Sequence, residues 1–168
     1  MTYGEAIKIE NKAEIYANGV CSQPSGNGIG GWGALIYENG VAIQIYGGDP
    51  CTTSNKMEII GCIKALNSLS QKSVVKITIN SKYVIQGAIF WVRKWKKNGW
   101  LTKFGEPVKN RELWEILDNL CKNHIVSWVF SGNHSNDRGN QIAEGLAVSG
   151  KEEEKEKIRK SIYVRSNG

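Results

Sequence analysis

Residues 91–111, WVRKWKKNGWLTKFGEPVKNR, set seven cations (Arg93, Lys94, Lys96, Lys97, Lys103, Lys109 and Arg111) against one acid, Glu106. Trp91, Trp95, Trp100 and Phe104 are interleaved with them. The chemistry that suits this pattern is contact with a polyanion. Clustered cations match phosphates and release their counterions, and aromatic faces pack on sugars or bases. Two of the aromatics carry a second reading: Trp91 and Trp95 lie four apart, one helical turn, which equally suits a buried face. The cations cannot be core, so their other reading is a solvated face. The formal net charge of +6 and a pI near 9.1 agree with an anionic partner, although an evenly spread excess would serve only solubility.

Other reactive residue types are sparse. Cys21, Cys51, Cys62 and Cys121 contain no C-x-x-C pair, and His124 and His134 do not stand at zinc-finger spacing from them. The thiols read as reduced, in a reducing compartment. His134 sits in a polar loop, SGNHSNDRGN, and an imidazole suits proton shuttling near neutral pH. Glu58 stands three residues after Asn55 and can close a capping box. Asn18–Gly19 and Asn80–Ser81 read as turn or cap pairs, and Glu144 by itself as a solvated helix face.

These residues need elements to position them. AEIYANGV (13–20) alternates and reads as a strand, and the Gly-rich SQPSGNGIGG that follows reads as a loop. WGALIYENGVAIQIYGG is two alternating runs joined at Asn39–Gly40, a hairpin signal. Thr52, Thr53, Ser54 and Asn55 offer N-caps for a helix carrying Ile59, Cys62, Ile63, Leu66 and Leu69. Val74–Ile79 is a β-branched run suited to burial on both faces. Residues 81–98 read as helical, and Gly99 through Pro107 break the pattern. Asn110 can cap a helix with Leu113, Trp114, Leu117 and Leu120, and Ile125–Phe130 reads as a strand. A last helix carries Ile142, Ala143, Leu146 and Ala147, and KEEEKEKIRKSIYVRSNG continues it or frays. Three antiparallel strands, then strands separated by helices, predict an α/β fold with a mixed sheet covered by helices. The expected organisation is one domain over 1–150 with a charged tail over 151–168. No apolar run reaches the ~20 residues of a membrane span, and the opening MTYGEAIKIENKAEIY lacks a signal-peptide stretch. The expectation is an intracellular protein, cytoplasmic or nuclear and not secreted, monomeric by default.

Over residues 13–149 the sequence resembles type 1 ribonuclease H. The matching segments are EIYANGVC, GGWGALIY, TTSNKMEIIGCIKAL, TINSKYVIQG, WVRKWKKNGW, PVKNRELWEIL and GNQIAEGLA, in family order and near family spacing. The resemblance implies the ribonuclease H-like fold, a central five-stranded mixed sheet of three antiparallel strands then parallel strands, flanked by helices. It implies hydrolysis of the RNA strand of an RNA–DNA hybrid, with two Mg²⁺ (or Mn²⁺) ions held by four carboxylates. Mg²⁺ takes hard oxygen ligands in octahedral geometry, and two ions activate a water and stabilise the leaving oxygen. The family's four carboxylates map onto Asn18, Glu58, Asn80 and Glu144. Two of those are amides, so the ligand charge falls from −4 to −2 and metal binding is expected to be weak. His134 maps onto a loop histidine that assists proton transfer or product release. Thr53, Ser54, Asn55 and Lys82 map onto contacts with the hybrid backbone and minor groove, where the 2′-hydroxyl distinguishes RNA from DNA. Arg93, Lys94, Trp95, Lys96, Lys97, Trp100 and Lys103 fall in the family's basic protrusion.

Three functional readings follow: a natural pseudoenzyme retained as a nucleic-acid-binding or protein-binding module; a nuclease whose two Asp positions were changed to Asn to trap substrate; and a weak enzyme using Glu58 and Glu144, with one metal or none. Flanking drift at Ala17, Val20 and Ile79 favours the first. A non-catalytic protein-interaction module on the same fold is the alternative from another class.

Overall fold

The computed structural model describes residues 8–23, 26–132 and 136–167. Alternation in the first three strands produces an antiparallel meander. β1 (Lys12–Cys21) pairs with β2 (Gly28–Glu38), and β2 with β3 (Val41–Thr52) across the turn at Asn39–Gly40. Both turn residues have positive φ, 50° and 78°, which Asn and Gly tolerate. β4 (Val74–Ile79) then lies parallel to β1 on its other side, and β5 (Ile125–Phe130) parallel to β4. The sheet order is β3-β2-β1-β4-β5, the mixed five-stranded arrangement expected from the order of elements.

One face of the sheet carries the main core. Ala13, Ile15 and Ala17 of β1, Ala34 and Ile36 of β2, and Val75, Ile77 and Ile79 of β4 meet Ile59, Cys62, Ile63 and Leu66 of α1 (Ser54–Asn67). α2 (Lys82–Gln86), a π-helical turn over Gly87–Trp91 and α3 (Val92–Lys97) form one irregular helix, and α4 (Arg111–Lys122) packs against α1. The π turn falls where Gly87 sits under the Trp114 ring; an added Cβ there would lie 2.1 Å from the ring. An extra residue per turn at one point lets the chain pass that ring without breaking the helix.

The other face is covered by α5 (Arg138–Ser166), which packs on β1, β2 and β3. Its contact is backbone against backbone. A Cβ on Gly31 would lie 2.1 Å from the Ala147 carbonyl oxygen, and one on Gly150 would lie 2.0 Å from that of Gly47. A departure from expectation is that Gly28–Gly31 belongs to β2 and not to a loop, Gly31 admitting α5 on one face and Gly30 packing against Thr52 and Met57 on the other. A second departure concerns β4. Val74 and Lys76 are exposed, because α5 stops short of this strand and only its later residues are covered on both sides. The tail expected after residue 150 continues α5 as helix to Ser166. Among the described residues no helix is long and apolar enough to cross a membrane.

Candidate functional site

The register of β1 and β4 brings two of the sequence candidates side by side. Ala17 pairs with Ile79, so Asn18 and Asn80 are the next residues on adjacent strands, which lie ~4.8 Å apart. Both alternate away from the Ala17–Ile79 face, toward the α5 side. Asn80 Oδ1 is buried and accepts no hydrogen bond among the described residues. An orphaned carboxamide oxygen is costly unless something meets it, since desolvation is not compensated.

Glu58 joins them from α1. Gly19, next to Asn18, presses on α1 so closely that a Cβ would lie 2.3 Å from the Glu58 amide nitrogen. The Glu58 carboxylate accepts a 2.6 Å bond from the Ser81 hydroxyl, and Ser81 Oγ in turn accepts from the Val84 amide, capping α2. The capping-box reading is therefore corrected. Thr53 is the N-cap of α1, its hydroxyl accepting from the Lys56 amide at 3.2 Å, so Asn55 and Glu58 lie too far along the helix to box with each other. Burial pushes the Glu58 carboxyl up to about 7, against a smaller downward pull from Ser81. Ser81 was not among the sequence candidates; its only sequence signal was a serine directly before a helical run.

Glu144 comes from the opposite layer. Gly33 is the cross-strand partner of Asn18, and Ala143 and Ala147 lie directly over Gly33. That places Glu144 on α5 at the same end of β1, exposed to solvent. Asp137 caps this helix, accepting from the Gly139 amide at 2.8 Å. His134 lies outside the described residues.

The donor set can be weighed against divalent metal. Among the described residues, no group of three His, Cys, Asp or Glu could hold an ion. Two carboxylates and two carboxamide oxygens are hard ligands of the type Mg²⁺ accepts. Only Glu58 and Glu144 bring charge, and without a cation beside it burial works against ionisation of Glu58. This set suits at most one divalent cation and does not fit two, whose combined +4 would face −2 or less.

The basic segment is sorted by the fold into bound and free cations. Lys96 is taken up by Asp118, which also pairs with Lys122 at 3.0 Å. Arg111 pairs with Glu115 at 2.6 Å and covers the Trp100 ring at 5.3 Å. Arg93, Lys94, Lys97, Lys103 and Lys109 make no ion pair among the described residues, and Lys103 lies over the exposed Phe104 ring. The tryptophans pack inward. Trp95 is half-buried, with Trp91, Trp100 and Trp114 at centroid distances of 5.8, 6.1 and 5.7 Å. Trp100 is only 8% exposed, folded back by a 2.7 Å bond from its amide to the Trp95 carbonyl. Its ring therefore supports the protrusion from inside, and stacking by Trp100 on a ligand is corrected on that ground.

Thr53 and Asn55 face this segment across a groove of about 680 Å³, also lined by Tyr83, Trp95, Thr102 and Lys109. Ser54 is half-buried beside them, and Lys82 lies exposed, its ammonium 5.2 Å from the Phe130 ring. Asn110 occupies the N-cap position of α4, but in left-handed backbone with no side-chain cap; its amide donates to the Tyr83 hydroxyl at 3.2 Å and closes the groove instead.

Comparison with known proteins identifies the family. The RNase H family model matches residues 10–152. A ribonuclease H of Hyphomonas neptunium is 47% identical over 141 residues, 83% of this chain and 92% of that protein. A ribonuclease H of Francisella tularensis subsp. novicida is 42% identical over 144 residues, 85% of this chain and 93% of its own length. Among solved structures, LC9-RNase H1, a type 1 RNase H with the type 2 active-site motif, superposes with a TM-score of 0.76 at 24% identity, covering 89% of this chain and 75% of that one. A foamy viral protease-reverse transcriptase in complex with RNA/DNA hybrid gives 0.65 at 22% identity, covering 90% and 22%.

Proposed function

The chain belongs to the RNase H family, and from that premise we propose that it binds RNA–DNA hybrid while cleaving the RNA strand very slowly or not at all. In this reading Asn18 and Asn80 stand where the family places aspartates. One observation carries it: the two amides directly follow the paired Ala17 of β1 and Ile79 of β4, beside a Glu58 whose carboxyl is itself raised to about 7. The site thus gathers ligand oxygens without the negative charge that a pair of divalent ions requires.

Binding is a separate matter. The free cations Arg93, Lys94, Lys97, Lys103 and Lys109 supply phosphate contacts, and the groove beside Thr53 and Asn55 supplies polar contacts at a helix start, suited to a sugar-phosphate edge. The buried, unpartnered Asn80 Oδ1 favours a secondary mode in which a single divalent cation sits beside Glu58.

The test measures hybrid binding and cleavage together, with Mg²⁺ and then Mn²⁺. The unmodified chain is expected to shift labelled hybrid without cutting it at an appreciable rate. Asn18→Asp with Asn80→Asp should raise metal affinity and restore cleavage, and each single change should restore less than the pair, because ligands of one centre act as a unit. Turnover by the unmodified chain at a rate like the doubly restored form would overturn the impairment. Failure to shift hybrid at all would overturn the binding.

A further inference from the structure

α5 runs 29 residues, well past the point at which the family match ends, at residue 152. Its course is set by the glycine contacts. Ala143 and Ala147 lie on Gly33, Ala147 and Lys151 on Gly31, and Gly150 and Glu154 on Gly48. From Gly33 to Gly31 the helix climbs β2 toward Gly28, the end that pairs with Thr52 and leads into Thr53–Asn55. The last contact with a sheet glycine is at Glu154, against Gly48, and Ile158 beyond it is half-buried. Twelve further residues to Ser166 extend ~18 Å at 1.5 Å each. The strand beneath needs only ~13 Å to reach Thr52 from Gly48. The helix therefore overtops the sheet at the end that carries the groove and the amide pair.

Chemistry changes along this extension. Residues 151–156, KEEEKE, are net acidic, whereas 157–166, KIRKSIYVRS, hold Lys157, Arg159, Lys160 and Arg165 and no acid. Lys157 and Arg159 pair back to Glu154 and Glu156, at 3.7 and 2.7 Å. Lys160 and Arg165 make no ion pair among the described residues. Tyr163 is 70% exposed in the same turns.

We propose that the end of α5, residues 157–166, is a second basic arm that contacts the phosphate backbone of the same duplex beyond the central groove. The proposal rests on hybrid being the ligand of that groove. Lys160 and Arg165 meet phosphates, and Tyr163 lies against sugar edges. Of that length ~13 Å runs alongside β3, so the helix passes Thr52 by ~5 Å, roughly one to two base steps at ~3.4 Å each, and only a duplex extending past the centre on this side engages the arm.

The experiment compares salt-dependent binding of two hybrids, one ending near the centre on the β3 side and one extending past it, for three proteins: unmodified, Lys160→Gln/Arg165→Gln, and Lys94→Gln/Lys97→Gln. The arm variant is expected to weaken the long hybrid several-fold and to flatten its salt slope by about one to two, leaving the short hybrid unchanged. The protrusion variant should weaken both hybrids. If only the protrusion variant has an effect, the arm is refuted and the central reading stands. If neither hybrid binds the unmodified protein, the central reading has failed and the arm with it. Both arm positions are exposed on a helix end, so unchanged helicity and melting temperature are expected, and the reversal Lys160→Glu/Arg165→Glu should deepen the same long-hybrid defect.

Discussion

Glu58 is the most consequential single residue of the site, because its environment works against its charge. Burial moves its carboxyl from an ordinary value near 4.5 to about 7. A raised folded value means the protonated form suits the native state, so the associated stability is complete below about 4.5 and is lost as pH rises through about 7. The difference corresponds to ~3 kcal/mol at most. Glu58→Gln removes the ionisation while keeping the shape, and should raise unfolding free energy at pH 8 by up to that amount and change it little at pH 4. Equal effects at both pH values, measured by denaturant unfolding, would show that Glu58 is not buried against its charge. Ser81→Ala should move the Glu58 titration further up, because the hydroxyl that now stabilises the carboxylate is gone. A carboxyl-carbon NMR titration reads that directly.

At the scale of elements, α1 and the α2–α3 segment carry the surface that faces a ligand, and each separates a structural residue from a binding one. Thr53 caps α1 while Asn55 stands exposed beside the groove. Thr53→Ala should therefore cost about 1 kcal/mol, whereas Asn55→Ala should leave stability nearly unchanged and reduce the preference for hybrid over duplex DNA. A loss of stability on Asn55→Ala as large as that on Thr53→Ala would return Asn55 to a capping role. On α3, neighbours in sequence differ in what they touch: Lys96 is held by Asp118, and Lys97 is free. Lys97→Gln should lower hybrid affinity and flatten its salt slope by about one. Lys96→Gln should change the slope little, its cation being already neutralised by a carboxylate. Identical slopes for the two variants would show that the Lys96–Asp118 pair opens to admit phosphate.

For the whole molecule, charge balance is distributed unevenly between its two ends. Far from the amide pair, Glu38 is buried in a polar network. Burial alone would raise it, but bonds from the Ser70 hydroxyl and amide and from Asn11 hold its carboxyl below its ordinary 4.5. Asp118 is likewise raised by burial and drawn lower overall by Lys96 and Lys122. Glu14 is lowered by its bond from Lys76. Depressed acids stabilise the fold above their unfolded values and lose that contribution as pH falls through the folded ones, so acid unfolding should begin below about pH 4.5. Glu58 acts in the opposite direction, removing stability as pH rises from about 4.5 to about 7. Stability should therefore be highest near about pH 4.5 to 5 and decline toward about pH 7. Thermal unfolding from pH 3 to 9 checks this; a curve still rising between pH 5 and 7 would contradict the reading of Glu58. Glu38→Gln should blunt the acid limb alone.

The sequence by itself determined the order and kind of the elements. Alternation, the Asn39–Gly40 turn and helical spacing are local signals, and each strand from Lys12–Cys21 to Ile125–Phe130 follows from residues within or beside it. It also determined the family, since seven segments in order are read one by one along the chain. What lay beyond it depended on partners distant in sequence. Gly31 reads as loop until α5 arrives on top of it, because a glycine's fitness for a strand depends on whether another backbone occupies its missing side chain. Trp100 looks available for stacking until the turn at Gly99 folds it onto Trp95. Glu58 looks like a capping-box partner until Ser81, 23 residues on, claims its carboxylate. Lys96 and Lys97 are indistinguishable in sequence, and Asp118 on another helix decides between them. Local propensity acts through the chain's own backbone and is written in short windows, whereas burial, ionisation and charge pairing act through space and exist only once the sheet and its helices have closed around each side chain.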